Sequence, residues 1–216
     1  MRLRAGIVVF PGSNCDRDLY YALERAGFIP RYVWHAEHVL PPVEAVFFPG
    51  GFSYGDYLRA GAIARFAAIM PAVEDFWRKG GFVMGICNGF QILLEAGWLP
   101  GALRRNTSGR FICRTVSIQV WKKSPLSDYL GERLYRLPIA HAEGRYVPHE
   151  DPPAWGLRYV PAPAPNGSYA AIAGIGNPEG TVFGLMPHPE RACDPYQGNS
   201  DGLDFLRGIA RYISSR

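Results

Sequence analysis

Cys87, at the centre of Gly85-Ile86-Cys87-Asn88-Gly89, is the residue whose setting most invites chemistry. A thiol between two glycines, after the apolar run Phe82 to Ile86 and before a segment of helical period, is the sulfur counterpart of the Gly-x-Ser-x-Gly nucleophile elbow. The glycines permit a tight turn with close backbone approach, which leaves the sulfur standing above the end of a strand. A place at a helix N-terminus also favours the thiolate, since the positive end of the helix dipole lies there. A small buried cysteine that merely falls between glycines is the alternative, and a base is what separates the two.

His188 and Glu190, in Met186-Pro187-His188-Pro189-Glu190-Arg191, supply that base and its support. The flanking prolines restrict the backbone. In an extended segment positions i and i+2 point to the same side, so Glu190 can accept from one ring nitrogen, hold the tautomer and stabilise imidazolium. The reading is a Cys-His-Glu triad. Acyl transfer also needs donors for a developing oxyanion, and two sources present themselves: the N–H of Asn88 and the N–H groups of Gly50 and Gly51. Ser13 or Asn14 is expected to cap the helix after Cys15, Cys113 reads as core, and Cys193 falls in a loop with no histidine pair nearby. Histidines 35, 38, 141, 149 and 188 show no paired ligand spacing, so no metal is expected. No Gly-x-x-x-x-Gly-Lys-Ser/Thr run is present to hold ATP.

The elements that must position these groups alternate. Strands are expected over Arg4 to Phe10, Arg31 to His35, Ala45 to Phe48 and Phe82 to Ile86, with helices over Asp16 to Ala26, from about Asn88 to Ala96, and once or twice within Arg59 to Lys79, divided near Pro71. This is the signature of βαβ units and a parallel sheet whose strand ends form a ligand crevice. The second half changes character: Phe111 to Trp121 and Ala170 to Leu185 are strand-rich, and antiparallel strands and loops are expected around the proline-rich stretch Pro148 to Pro165. Asn199-Ser200-Asp201 can cap a last helix, Gly202 to Ile213.

At 216 residues, 48% hydrophobic and 19% charged, the chain is expected to form one domain over 1–216. Its formal charge of +4 is scattered, which does not call for nucleic acid. No apolar run approaches a membrane span and the N-terminus does not read as a signal peptide, so a soluble cytoplasmic protein is expected.

The stretches FPGSNCDRD (Phe10 to Asp18), FSYGDYLRAGAIA (Phe52 to Ala64), GICNGFQIL (Gly85 to Leu93), LPGAL (Leu99 to Leu103), PIAHAEGRY (Pro138 to Tyr146) and GLMPHPER (Gly184 to Arg191) closely resemble class I glutamine amidotransferases. Within that class they resemble the glutaminase subunits of phosphoribosylformylglycinamidine synthase. The resemblance implies a flavodoxin-like α/β three-layer sandwich, with a mostly parallel central sheet, helices on both faces and a small antiparallel sheet. It implies that Cys87 attacks the carboxamide of glutamine, that His188 protonates the departing ammonia, and that Glu190 orients His188. Gly51 and Asn88 match the family's oxyanion hole, and Gln91 lies close to bound glutamine. His141 and Glu143 look like specificity or interface elements near the mouth of the site. Asn106, in Asn106 to Phe111, belongs to the synthetase interface or the glutamine site. The family passes ammonia through a tunnel to a large synthetase subunit of the PurL type, with a small third subunit of the PurS type. ATP and Mg2+ are used by the synthetase, and this chain is expected to bind no cofactor, nucleic acid or membrane. Ala164 departs from relatives that more often carry Asn there. A free-standing cysteine hydrolase of the same architecture, γ-glutamyl or peptidase-like, is the competing reading.

Overall fold

The computed structural model describes residues 2–121, 124–149 and 155–216. The first half is built as alternation requires: β1 (Arg4–Val9), α1 (Asp16–Arg25), β2 (Ile29–Trp34), β3 (Ala45–Phe48), α2 (Met70–Arg78), β4 (Phe82–Ile86) and α3 (Asn88–Glu95). Then follow β5 (Ala102–Arg104), β6 (Ile112–Trp121), the one-turn α4 (Ser127–Leu130), β7 (Tyr135–His141), β8 (Arg145–Val147), β9 (Trp155–Val160), β10 (Ile172–Gly176), β11 (Val182–Leu185) and α5 (Asp201–Ser214).

The main sheet runs β2-β1-β3-β4-β11-β10-β9-β6-β7, and β5 pairs with β8 in a small antiparallel sheet. Strands β2, β1, β3, β4 and β11 are mutually parallel. From β11 onward every pairing is antiparallel. All residues of β3, β4, β10 and β11 are buried, because the centre of the sheet is covered on both faces and needs apolar residues throughout. Helix α1 turns Leu19, Ala22 and Leu23 inward and stops before Gly27, whose φ of +97° suits the left-handed turn past a helix end.

Several local expectations need correction. Between Arg59 and Ala67 the chain makes turns and one 3-10 segment (Ala64–Phe66), not a helix. Gly61 is the reason: its φ is +81°, and a Cβ there would lie 2.8 Å from the Ile92 nitrogen, so this backbone is pressed against α3 in a non-helical conformation. Pro71 begins α2 instead of dividing a helix, as its missing N–H allows in a first turn. Neither Ser13 nor Asn14 caps α1; Cys15 holds the cap position without a side-chain bond, and the Ser13 hydroxyl accepts from the Phe10 N–H at 3.1 Å, closing the loop instead. Cys113 is exposed on β6, as are Arg114 and Thr115 after it, so this part of the strand is covered on neither face. At α5, Asn199 Oδ1 accepts from the Asp201 N–H at 2.9 Å, one residue ahead of the cap position, which Ser200 holds without a side-chain bond. Residues 150–154 of the proline-rich stretch lie outside the described residues.

Three strands separate β7 from β11 in the sheet, yet the middle of β7 reaches the segment after β11: His188 N–H donates to the Pro138 carbonyl at 2.8 Å. The antiparallel half therefore curls back over the ends of β4 and β11. This brings residues 138 to 144 to the same place as the elbow.

Candidate active site

Cys87 joins β4 to α3 at φ 51° and ψ −105°, a conformation costly for a residue with a Cβ. The elbow is held by close packing. A Cβ on Gly85 would lie 2.6 Å from the Gly89 carbonyl, and one on Gly89 would lie 2.1 Å from the Phe48 carbonyl oxygen, so both positions need glycine for space. Cys87 N–H donates to the Leu185 carbonyl at 2.8 Å, which ties the elbow to the strand that leads to His188.

His188 and Glu190 are almost wholly buried, and Nδ1 meets Glu190 Oε1 at 2.6 Å. The pair was expected in an extended run, but only His188 is extended; Pro189–Arg191 forms a 3-10 turn that swings Glu190 back under the ring. Burial pulls the His188 pKa down, but the Glu190 carboxylate and the Cys87 sulfur outweigh it, and the net effect raises it to about 10. The other ring nitrogen, Nε2, is buried without a hydrogen bond. Cys87 and His188 line one cavity of about 430 Å³, and Gly51, Gln91, His141 and Glu143 also face it. Gly50 makes room for the imidazole: a Cβ there would lie 2.7 Å from His188 Cε1.

The arrangement can carry out acyl transfer by a thiol, with a proton shuttled on His188. The first N–H groups of α3, beginning at Asn88, have no acceptor within the helix and can meet an oxyanion. The Asn88 side chain is engaged elsewhere, since its Oδ1 accepts from the Ser53 N–H at 3.0 Å and its Nδ2 donates to Gln91 Oε1 at 2.9 Å. Gln91 Nε2 in turn donates to the Glu143 carbonyl at 2.8 Å, so the elbow helix and the 138–144 segment are stitched across the cavity.

A profile for CobB/CobQ-like glutamine amidotransferase domains matches residues 2–154 and 159–203. A phosphoribosylformylglycinamidine synthase subunit PurQ of Parasynechococcus marenigrum is 52% identical, over 94% of this chain and 98% of its own. The protein of that name from a strain of Thermus thermophilus is 47% identical, over 98% of this chain and 100% of its own. A chain in the structure of PurLQS from Thermotoga maritima, 47% identical, superposes with a TM-score of 0.91, covering 99% of this chain and 100% of that one. The chain belongs to the glutamine amidotransferase family.

In this amidotransferase the structure brings together Cys87, His188, Glu190, Gly51, Gln91, His141 and Glu143. Gly50 packs behind the base and Asn88 braces the elbow. Asn106 sits behind His141: its Nδ2 donates to the His141 carbonyl at 2.9 Å. Three residues at the site escaped the sequence reading. Asp56, half-buried on the cavity wall, is raised to about 6, first by burial and then by the neighbouring Glu143 carboxylate. It lies in a loop where Tyr54, Asp56 and Leu58 all have positive φ; the Tyr-Gly-Asp run hints at a turn but not at its place. Tyr159 is fully buried, and burial first, then the Cys87 sulfur, pushes its hydroxyl far up. Arg191, quoted only as part of a motif, lines the cavity and donates through Nη2 to Cys15 Sγ at 2.9 Å.

Cys15 lies in the first βα loop, at the start of α1, and that loop reaches the site, with donor atoms of Cys15, His188 and Glu190 within 4.8 Å of one another. Burial, then Glu190, pushes its thiol up to about 12, so it is neither nucleophile nor ready ligand at neutral pH. A metal there would also have to break the His188–Glu190 bond. Cys193, likewise pushed to about 12 chiefly by burial, donates to the Pro189 carbonyl and supports the turn carrying Glu190.

Proposed function

We propose that this chain is the glutaminase subunit of a phosphoribosylformylglycinamidine synthase, releasing ammonia from glutamine through a thioester on Cys87. The observation that carries this reading is the buried His188–Glu190 contact at 2.6 Å beside the cysteine elbow on one cavity. With His188 charged, the Cys87 sulfur attacks the side-chain carbonyl carbon, and the oxygen takes up charge against the Gly51 and Asn88 N–H groups. His188 gives its proton to nitrogen, the C–N bond breaks, and ammonia leaves a γ-glutamyl thioester. Neutral His188 then takes a proton from water, hydroxide attacks the thioester, and glutamate departs as sulfur is released. Glu190 holds the ring and its charge throughout.

The ammonia passes through a channel to a PurL-type synthetase subunit, assembled with a PurS-type subunit, which uses ATP and Mg2+ to convert formylglycinamide ribonucleotide to the amidine. This chain supplies no cofactor of its own. A nucleophile that must stay a free thiol suits the reducing cytoplasm, and no helix among the described residues is long and apolar enough to cross a membrane.

Amide-labelled glutamine supplied to the assembled complex tests this. The label is expected in the amidine product. Label found only as free ammonia, at a rate indifferent to the partner subunits, would favour the free-standing hydrolase.

A further inference from the structure

We propose that His141 accepts a hydrogen bond through Nε2 from the amide nitrogen of glutamine as that nitrogen becomes ammonia. The assignment rests on the glutaminase reading and deepens it. Asn106 settles the state of the ring. Its Nδ2 donates to the carbonyls of Arg110 and His141, each at 2.9 Å, so its Oδ1 faces the Gly144 N–H at 3.3 Å and His141 Nδ1 at 3.1 Å. An oxygen has only lone pairs to offer the ring, so Nδ1 carries the hydrogen and the lone pair of the neutral imidazole sits on Nε2. That Nε2 is buried and has no hydrogen-bond partner, in a residue 4% exposed that lines the cavity of Cys87 and His188. Burial, then the neighbouring His188 charge, holds His141 down at about 4, so it stays neutral at neutral pH.

A buried acceptor without a partner destabilises the fold until a donor arrives. Glutamine brings donors on its α-ammonium and on its carboxamide nitrogen, and the carboxamide nitrogen is the one that must lie beside Cys87 and His188 during reaction. Its carbonyl oxygen needs N–H groups, and His188 must face the nitrogen lone pair to protonate it; the remaining N–H bonds need an acceptor, which His141 supplies. The proton that completes ammonia comes from His188, the C–N bond breaks as the C–S bond is kept, and His141 neither gives nor takes a proton. Because Nε2 carries no hydrogen, ammonia leaves as the free base, the form that can attack an electrophile. Gly144 keeps the ring in place: a Cβ there would lie 2.3 Å from His141 Cε1 and 2.6 Å from Nε2.

The test compares kcat/KM of the assembled complex for glutamine and for the γ-methyl ester of glutamate, whose leaving oxygen carries no N–H. For His141→Ala the glutamine value is expected to fall about 10- to 100-fold, the loss that goes with one hydrogen bond to a group carrying charge. The ester value should stay within about threefold of wild type, because acylation of the ester never used that bond. His141→Gln, whose Oε1 can accept, should recover part of the loss. Gly144→Ala should reproduce the selective loss by displacing the ring, and it decides the matter if His141→Ala does not fold. Equal losses on both substrates, or no loss on glutamine, would overturn the assignment. A wild-type complex inactive on both substrates would remove the glutaminase reading itself and the assignment with it.

Discussion

Glu190 has one carboxylate oxygen on His188 Nδ1 and the other, Oε2, buried without a hydrogen bond, so its side chain serves the ring alone. Glu190→Gln should lower turnover on the order of 10²- to 10⁴-fold, as loss of the orienting carboxylate does in other triads, with the circular dichroism spectrum unchanged. Loss of the spectrum would make Glu190 structural. The pair also links stability to pH. His188 is raised above its ordinary 6.5, so the stabilisation is fully present below that value and is lost as pH climbs toward about 10. The melting temperature of wild type should fall through that window more steeply than that of Glu190→Gln, and parallel curves would refute the linkage. That Cys87, His188 and Glu190 would meet was legible in the sequence, because prolines and glycines mark them out. Asp56 and Tyr159 were not, since an aspartate in a loop and a tyrosine in a strand carry no local sign of what they will face.

At the scale of elements, the elbow works through close approach. Gly89 meets the Phe48 carbonyl, and Gly61 presses its loop against α3. Gly89→Ala must push β3 and α3 apart, with a cost of about 1–3 kcal/mol or more from overpacking. It should lower the melting temperature and abolish glutamate release together; an active, equally stable variant would show that the elbow tolerates a Cβ. Strands β3 and β4 were legible to the residue, being short apolar runs, the first closed by Pro49-Gly50-Gly51 and the second opened by Gly80-Gly81. The span before α2 was not: its composition is helical, but a positive φ at Gly61 and a tertiary contact with α3 override propensity. Cys113 shows the same limit on a strand, where a strand-forming run is visible but which part of it is covered is decided by the whole sheet.

At the scale of the molecule, the site is assembled from both ends of the chain and from the far edge of the sheet. The parallel half positions Cys87 and His188, as βα alternation implies. The curl that lays Ala140, His141 and Glu143 over them depends on four antiparallel strands whose pairing no local pattern announces. The Gln91–Glu143 bond joins those two halves, so a shift of the 138–144 segment has a physical route to the elbow. The measurement that tests the central claim most directly is the rate of glutamate release from glutamine by the purified chain, alone and assembled with its PurL-type and PurS-type subunits, for wild type and Cys87→Ala. Release that rises strongly on assembly and vanishes in Cys87→Ala is the predicted result. Undiminished release by the assembled Cys87→Ala complex would contradict it.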